Sequence, residues 1–208
     1  MDKFLTISKI GTSIIVEKKS TFLGHAAPVQ DEKEALEFIN KIKMKLADAN
    51  HHTYAYQIGE NNEIQRANDG GEPSGTAGRP ILEIIKQENL KDIVVVVSRY
   101  FGGILLGTGG LVRAYGKTAH EAIIDGSIIE KIYGQNVFIT IDYHLWGKVQ
   151  NYLNTQDIYI EKVSYTEKVK VSCLVAFEKV NLLTKEVQDL CHGAVGVTLG
   201  EVGYFSGI

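Results

Sequence analysis

The chain has 208 residues and a formal net charge of −3, with a pI near 6.1, which excludes a protein coated in basic surface that binds nucleic acid wherever it meets it. An apolar content of 44% is ordinary for a globular protein and supplies one large core or two small ones. Two cysteines, Cys173 and Cys191, exclude a disulfide scaffold; the N-terminus MDKFLTISKI lacks a signal-peptide pattern and no apolar run approaches the ~18 residues of a membrane span, so a soluble cytoplasmic protein is expected.

Taken in order, residues 4–8 and 12–16 read as short strands joined by a turn at Gly11, and Thr21–Val29 reads as a third, with Pro28 at its exit. From Asp31 to Ala47 the period becomes helical. Asp31 is set to cap the helix with Glu34 three residues on, and Ala35, Phe38, Ile39, Ile42 and Leu46 make one stripe. His51–Ile58 reads as a strand leading into a long polar loop, Gly59 to Gly78. A short helix follows from Pro80 to Gln87, capped by the Ser74–Gly78 segment. Asp92–Ser98 is apolar at every position from Ile93 to Val97, the pattern of a central strand buried on both faces.

Gly107-Thr108-Gly109-Gly110 opens a second long helix that Gly126 stops. Its stripe of Leu111, Ala114, Tyr115, Ala119, Ala122 and Ile123 faces a core, whereas Arg113, Lys117 and His120 fall on another side. Ser127–Tyr133 is one more strand. Beyond Gly134 the pattern starts afresh, dividing the chain into domains 1–134 and 135–208. The second reads as strand Val137–Tyr143, helix Leu145–Asn154, strands Ile158–Ser164 and Val169–Phe177, helix Leu182–Leu190 and strand Val195–Tyr204, the β-α-β-β-α-β order of a ferredoxin-like domain.

Chemistry-bearing residues concentrate between Asp69 and Lys117. All four arginines, Arg66, Arg79, Arg99 and Arg113, lie in or beside this stretch, and arginine is the side chain that grips phosphates and carboxylates through a rigid fork. Gly102, Gly103, Gly107, Gly109 and Gly110 lead into a helix start, where free backbone N–H groups and the helix dipole favour an anion, with Arg99, Tyr100, Arg113 and Lys117 around it. The spacing is neither a P-loop nor a dinucleotide fingerprint, and close helix packing is an equal explanation of the glycines. Asp69, Glu72, Ser74, Thr76 and Arg79 form a second polar, glycine-rich segment, a ligand loop or a flexible linker. His51 and His52 are adjacent and would point to opposite faces of a strand, so no metal site, catalytic set or cofactor motif is expected.

Several runs resemble the IMPACT family, including its bacterial YigZ-type members: Lys18-Lys19-Ser20-Thr21-Phe22, then Asn50 to Tyr56, Gly71 to Pro80, Val97 to Gly103 and Leu106 to Tyr115. The resemblance implies an α+β protein with an N-terminal domain of the ribosomal protein S5 domain 2-like fold and a C-terminal ferredoxin-like domain similar to one in elongation factor G. It also implies a setting in translation, since eukaryotic relatives regulate translation through protein partners. One departure stands out: the family pattern has a second acid directly before Gly-Glu-Pro, where this chain has Gly70. The resulting expectation is a non-enzymatic regulator that binds RNA, a ribosomal component or a translation factor through Arg99, Arg113 and Lys117, with His51 and Tyr54 or Tyr56 stacking or hydrogen-bonding. An enzyme acting on a phosphorylated or peptide-like small molecule and a protein-binding adaptor are the alternatives.

Overall fold

Strand β6 (Ile93–Tyr100) explains the first half of the chain. In the computed structural model, which describes residues 3–206, it is the middle of an antiparallel sheet. The order is β2 (Gly11–Glu17), β3 (Ser20–Pro28), β6, β4 (His51–Ile58) and β5 (Ile64–Asn68). Alternation along β6 feeds two cores. Val94 and Val96 meet Ala35, Ile39 and Ile42 of helix α1 (Glu32–Lys45). Val95 and Val97 join a larger cluster with Ile81 and Ile85 of α2 (Gly78–Gln87) and Leu111, Ala119 and Ile123 of α3 (Thr108–Asp125). Every position from Ile93 to Val97 is therefore inaccessible, as the unbroken apolar run predicts. The first strand, β1 (Lys3–Ile7), sends Ile7 into this larger core, and its Leu5 carbonyl accepts from the Lys91 N–H at 2.8 Å.

Asp31 caps α1 as expected, its carboxylate accepting from the Glu34 N–H at 2.8 Å, and Glu34 reaches back to the Gln30 N–H. The loop expected from Gly59 to Gly78 is corrected: Ile64–Asn68 within it forms β5, paired antiparallel with β4 from Tyr54↔Asn68 to Ile58↔Ile64. The cap of α2 is corrected too. Its N-cap residue, Ala77, offers no side chain, and the carboxylate of Asp69 takes the Ala77 and Gly78 N–H groups instead.

The chain divides into two compact units, Phe4–Ile129 and a second that joins Lys3 to the part from Glu130 onward. Strand β7 (Ile128–Ile141) runs without a break, so the two strands expected on either side of Gly134 are one; Gly134 sits inside it, opposite Ala176 and Gly203. It is followed by α4 (Tyr143–Thr155), β8 (Tyr159–Tyr165), β9 (Val169–Ala176), a single 3-10 turn, α5 (Val180–Leu190) and β10 (Val195–Ser206). Four strands of this five-stranded sheet pair antiparallel in the order β10-β7-β9-β8, and β1 is the fifth, also on β7. Trp146, Val149 and Leu153 of α4 and Val180, Leu183 and Val187 of α5 share a core with Val137, Ile139, Val171 and Cys173. Burial there pushes the Cys173 thiol up to about 12, which keeps it an inert core side chain. The whole is a mixed α and β protein with two antiparallel sheets. Among the described residues no helix is long and apolar enough to cross a membrane.

Candidate functional site

One end of the first sheet gathers most of the singled-out residues. The ladder sets Phe22 of β3, Arg99 of β6 and His51 of β4 side by side, all on the face that α2 and α3 cover. Over this row hangs the loop between β5 and α2, which delivers Glu72. One carboxylate oxygen of Glu72 accepts from Arg99 Nη1 at 2.7 Å and from the Tyr115 hydroxyl at 2.7 Å. His51 Nδ1–H donates to the Gly70 carbonyl at 3.0 Å, leaving Nε2 3.9 Å from the same Glu72 oxygen. Arg99 also donates to Ser20 Oγ at 3.2 Å and lies between the rings of Phe22 and Phe101, 5.3 Å from each centroid. The Glu72 and Arg99 side chains are only 4% and 5% exposed, so this is a buried ion pair. Burial, followed by the hydrogen bond to Glu72, drives the Tyr115 hydroxyl far above its ordinary value, so it remains a neutral donor.

Asp69 holds the loop closed. Its oxygens accept from the backbone N–H groups of Gly75 (2.8 Å), Ala77 (3.0 Å) and Gly78 (2.9 Å), and Thr76 Oγ1 donates to the Pro73 carbonyl at 2.6 Å. Partial burial alone would raise the Asp69 carboxyl, but those N–H donors outweigh it and bring it below the usual 3.8. Because the folded value is depressed, the contribution to stability is complete above the unfolded value and is lost as pH falls through the folded one. In urea unfolding the Asp69 contribution should therefore be constant above about pH 4 and decline only below it. Asp69→Asn is expected to flatten the acid limb of that profile; an unchanged acid limb would contradict this role.

The rest of the arginine and glycine region forms a separate feature on the surface. A groove of about 280 Å³ is lined by Ile15, Val16, Glu17 and Lys18 from the end of β2 and its turn, and by Leu106, Gly110, Arg113, Ala114 and Lys117. Helix α3 starts here at Gly107 with no side-chain cap, so its first N–H groups have no acceptor within the helix. The Arg113 guanidinium lies near that first turn, 3.9 Å from where a Cβ on Gly109 would stand. Lys18 and Lys19 form the two-residue turn of the β2–β3 hairpin with φ of 46° and 67°, a conformation that suits glycine or asparagine better than lysine.

The expectation that Arg99, Arg113 and Lys117 close on one anion is thus corrected: Arg99 turns inward to Glu72, and only Arg113 and Lys117 line the groove. Tyr54 lies elsewhere as well. It stacks on Tyr56 at 6.3 Å under Lys43, on the α1 face, because neighbours two apart from His52 point away from His51. The Tyr100 hydroxyl donates to Asp48 at 2.7 Å. Arg79 lines a shallow groove of about 400 Å³ beside Pro80, Ile84 and Val112 of α2 and α3, and Ser74 is exposed. The glycines split between the two explanations. A Cβ on Gly102 would stand 2.0 Å from the Lys19 backbone and one on Gly110 2.9 Å from Leu106, whereas Gly103 and Gly107 have positive φ and open surroundings. The sequence pattern alone does not single out Tyr115, which reads as a core residue, or Ser20; the Leu106 to Tyr115 and Lys18 to Phe22 runs are the signals that contain them. Among the described residues no group of three or more His, Cys, Asp or Glu side chains is arranged to hold a metal ion.

The model of the Impact N-terminal domain matches residues 18–123, which span this whole cluster and the groove residues from Lys18 onward. A relative from Bacillus subtilis, the IMPACT family member YvyE, is 40% identical over 98% of this chain and 94% of its own. The chain belongs to the IMPACT family. Escherichia coli YigZ, another IMPACT family member, is 31% identical over 86% of this chain and 88% of its own. Protein IMPACT-B of Xenopus tropicalis is 37% identical over 51% of this chain and 34% of its own. A domain of unknown function (DUF1949) matches residues 139–194. A crystal structure of a hypothetical protein superposes with a TM-score of 0.63 at 28% identity, over 95% of this chain and 97% of the other. In this IMPACT chain the family runs that are far apart in sequence meet: Ser20, Phe22, Glu72, Arg99 and Tyr115 are one buried cluster, with the partly exposed His51 at its edge. Gly70, where the family pattern has an acid, has a φ of 57°, and a Cβ there would come 2.1 Å from the His52 carbonyl. This backbone therefore has no room for the second acid.

Proposed function

We propose that this chain is a non-enzymatic, translation-associated protein that binds RNA, seating a backbone phosphate in the groove formed by Lys18, Arg113 and Lys117. The observation that carries this reading is the meeting of those cations with the uncapped start of α3. Three cations and one carboxylate, Glu17, line the groove, so it stays net positive beside the positive end of a helix, a setting that favours a bound anion. The chain as a whole carries −3, so such attraction is local and suits a defined contact better than indiscriminate coating. The translation setting is carried over from the family, in a cytoplasmic protein. Three of the acid-base groups that an enzyme would use are already committed: Asp69 and Thr76 to the loop backbone, Glu72 to Arg99 and Tyr115. This favours binding over catalysis. We read the first unit as ribosomal protein S5 domain 2-like and the second as ferredoxin-like, akin to a domain of elongation factor G; the strand order β10-β7-β9-β8 with its βαββαβ sequence supports the latter.

RNA binding should weaken linearly in log–log form as salt rises, and Arg113→Ala should lower both the affinity and the slope, the slope by about 1. Affinity unchanged by that substitution across the salt titration would overturn the groove as the site. A rise in melting temperature with sugar phosphates but not with RNA would favour a small-molecule ligand instead, and response to neither would favour a protein partner.

A further inference from the structure

The second unit covers one face of its sheet with α4 and α5, and alternation sends the remaining side chains to the other face. Phe138 of β7 stands on that face, opposite Ser172 of β9 and Thr198 of β10. Lys162 of β8 is also opposite Ser172, Lys170 lies two residues away on β9, and Tyr159 is opposite Leu174. Phe138 and Tyr159 are 44% and 46% exposed, and strand spacing and rise set their positions roughly 12 Å apart. A bulge between Ile160 and Lys162 adds Glu161, whose carboxylate accepts the Ser172 hydroxyl at 2.8 Å. A Cβ on Gly200 would stand 2.7 Å from the Phe138 ring, so glycine at this point of β10 leaves the ring room to lie over the strand.

Leu174 lies between the two rings but is only 5% exposed, and hydroxyls and lysines surround them, so the accessible surface differs from a protein-docking core, where exposed apolar residues are contiguous. Aromatic rings on an open sheet stack on nucleobases whatever their identity, and lysines beside them neutralise the connecting phosphates. We propose that this open face binds single-stranded RNA, with Phe138 and Tyr159 each stacking a base and Lys162 and Lys170 facing its phosphates. The choice of RNA rests on the reading of the groove, but the residues are independent of it.

The test is fluorescence anisotropy of the 208-residue chain with a labelled oligouridylate of about twelve nucleotides, titrated across salt, with circular dichroism to confirm folding. Phe138→Ala with Tyr159→Ala should lower affinity by about tenfold or more while leaving the salt slope unchanged, because stacking releases no counterions. Lys162→Ala with Lys170→Ala should reduce the slope by about 1.4. Phe138→Trp should retain binding, and Gly200→Val, which displaces the ring, should not. Unchanged affinity in the double aromatic variant overturns the platform, even if Arg113→Ala abolishes binding. Loss in the aromatic variant with no effect of Arg113→Ala upholds the platform and overturns the groove.

Discussion

Replacing Glu72 with alanine is expected to destabilise the first unit by about 3–5 kcal/mol, the cost of stranding a buried charge. Arg99 would lose its carboxylate partner while remaining enclosed by Phe22 and Phe101, and its Nε already has no hydrogen-bond partner among the described residues. Tyr115 would lose its acceptor too. Glu72→Gln keeps an acceptor and should cost less. Adding Arg99→Leu to Glu72→Ala should recover part of the loss, since the two rings already offer an apolar slot and no buried charge is left unpaired, while the smaller pair leaves a cavity that keeps the recovery incomplete. Urea denaturation of the single and double variants measures this directly. A single-variant loss below about 1 kcal/mol, the size of an exposed ion pair, would mean that the cluster does not hold the loop to the sheet.

Gly102→Ala should cost about 1–3 kcal/mol and weaken RNA binding at the same time. The added methyl would stand 2.0 Å from the Lys19 carbonyl carbon, 2.1 Å from its oxygen and 2.4 Å from the Ser20 nitrogen, all backbone atoms that cannot swing aside. The hairpin turn would have to back away, and Lys18, which lines the groove, would move with it. Gly103→Ala is the natural comparison, because nothing lies within 4 Å of its Cβ and only its φ of 79° is strained. Equal unfolding midpoints for the two variants would rule out the proposed close contact.

What could be read from the sequence was local. The β6 run needs no partner information, since only a strand covered on both sides tolerates five successive apolar residues. The start of α1 is encoded within four residues, Asp31 to Glu34. By contrast, β5 is polar along Gln65-Arg66-Ala67-Asn68 and owes its strand to the ladder with β4, a pairing invisible in its own periodicity. The cap of α2 comes from Asp69, beyond the reach of any capping-box spacing. Pattern alone groups Arg99 with Arg113 and Lys117, because all three flank the glycine-rich turn that opens α3. The inward turn of Arg99 depends on Glu72 arriving from a different loop and on register with Phe22 and His51. The family runs identified the right residues without revealing that they are buried partners of one another.

The central position of β6 also governs how the chain can be made. Synthesis delivers β3 and β4 long before the strand that joins them, and their ladder partners, such as Tyr100 for Thr21 and Arg99 for His51, emerge last. Until then neither the α1 layer nor the α2 layer can close on a sheet, and two apolar surfaces stand open at once. Long-range pairing of this kind is slow and exposes the nascent chain to aggregation. Translation past Tyr100 and then α3 is thus the interval in which a chaperone would matter most for this protein.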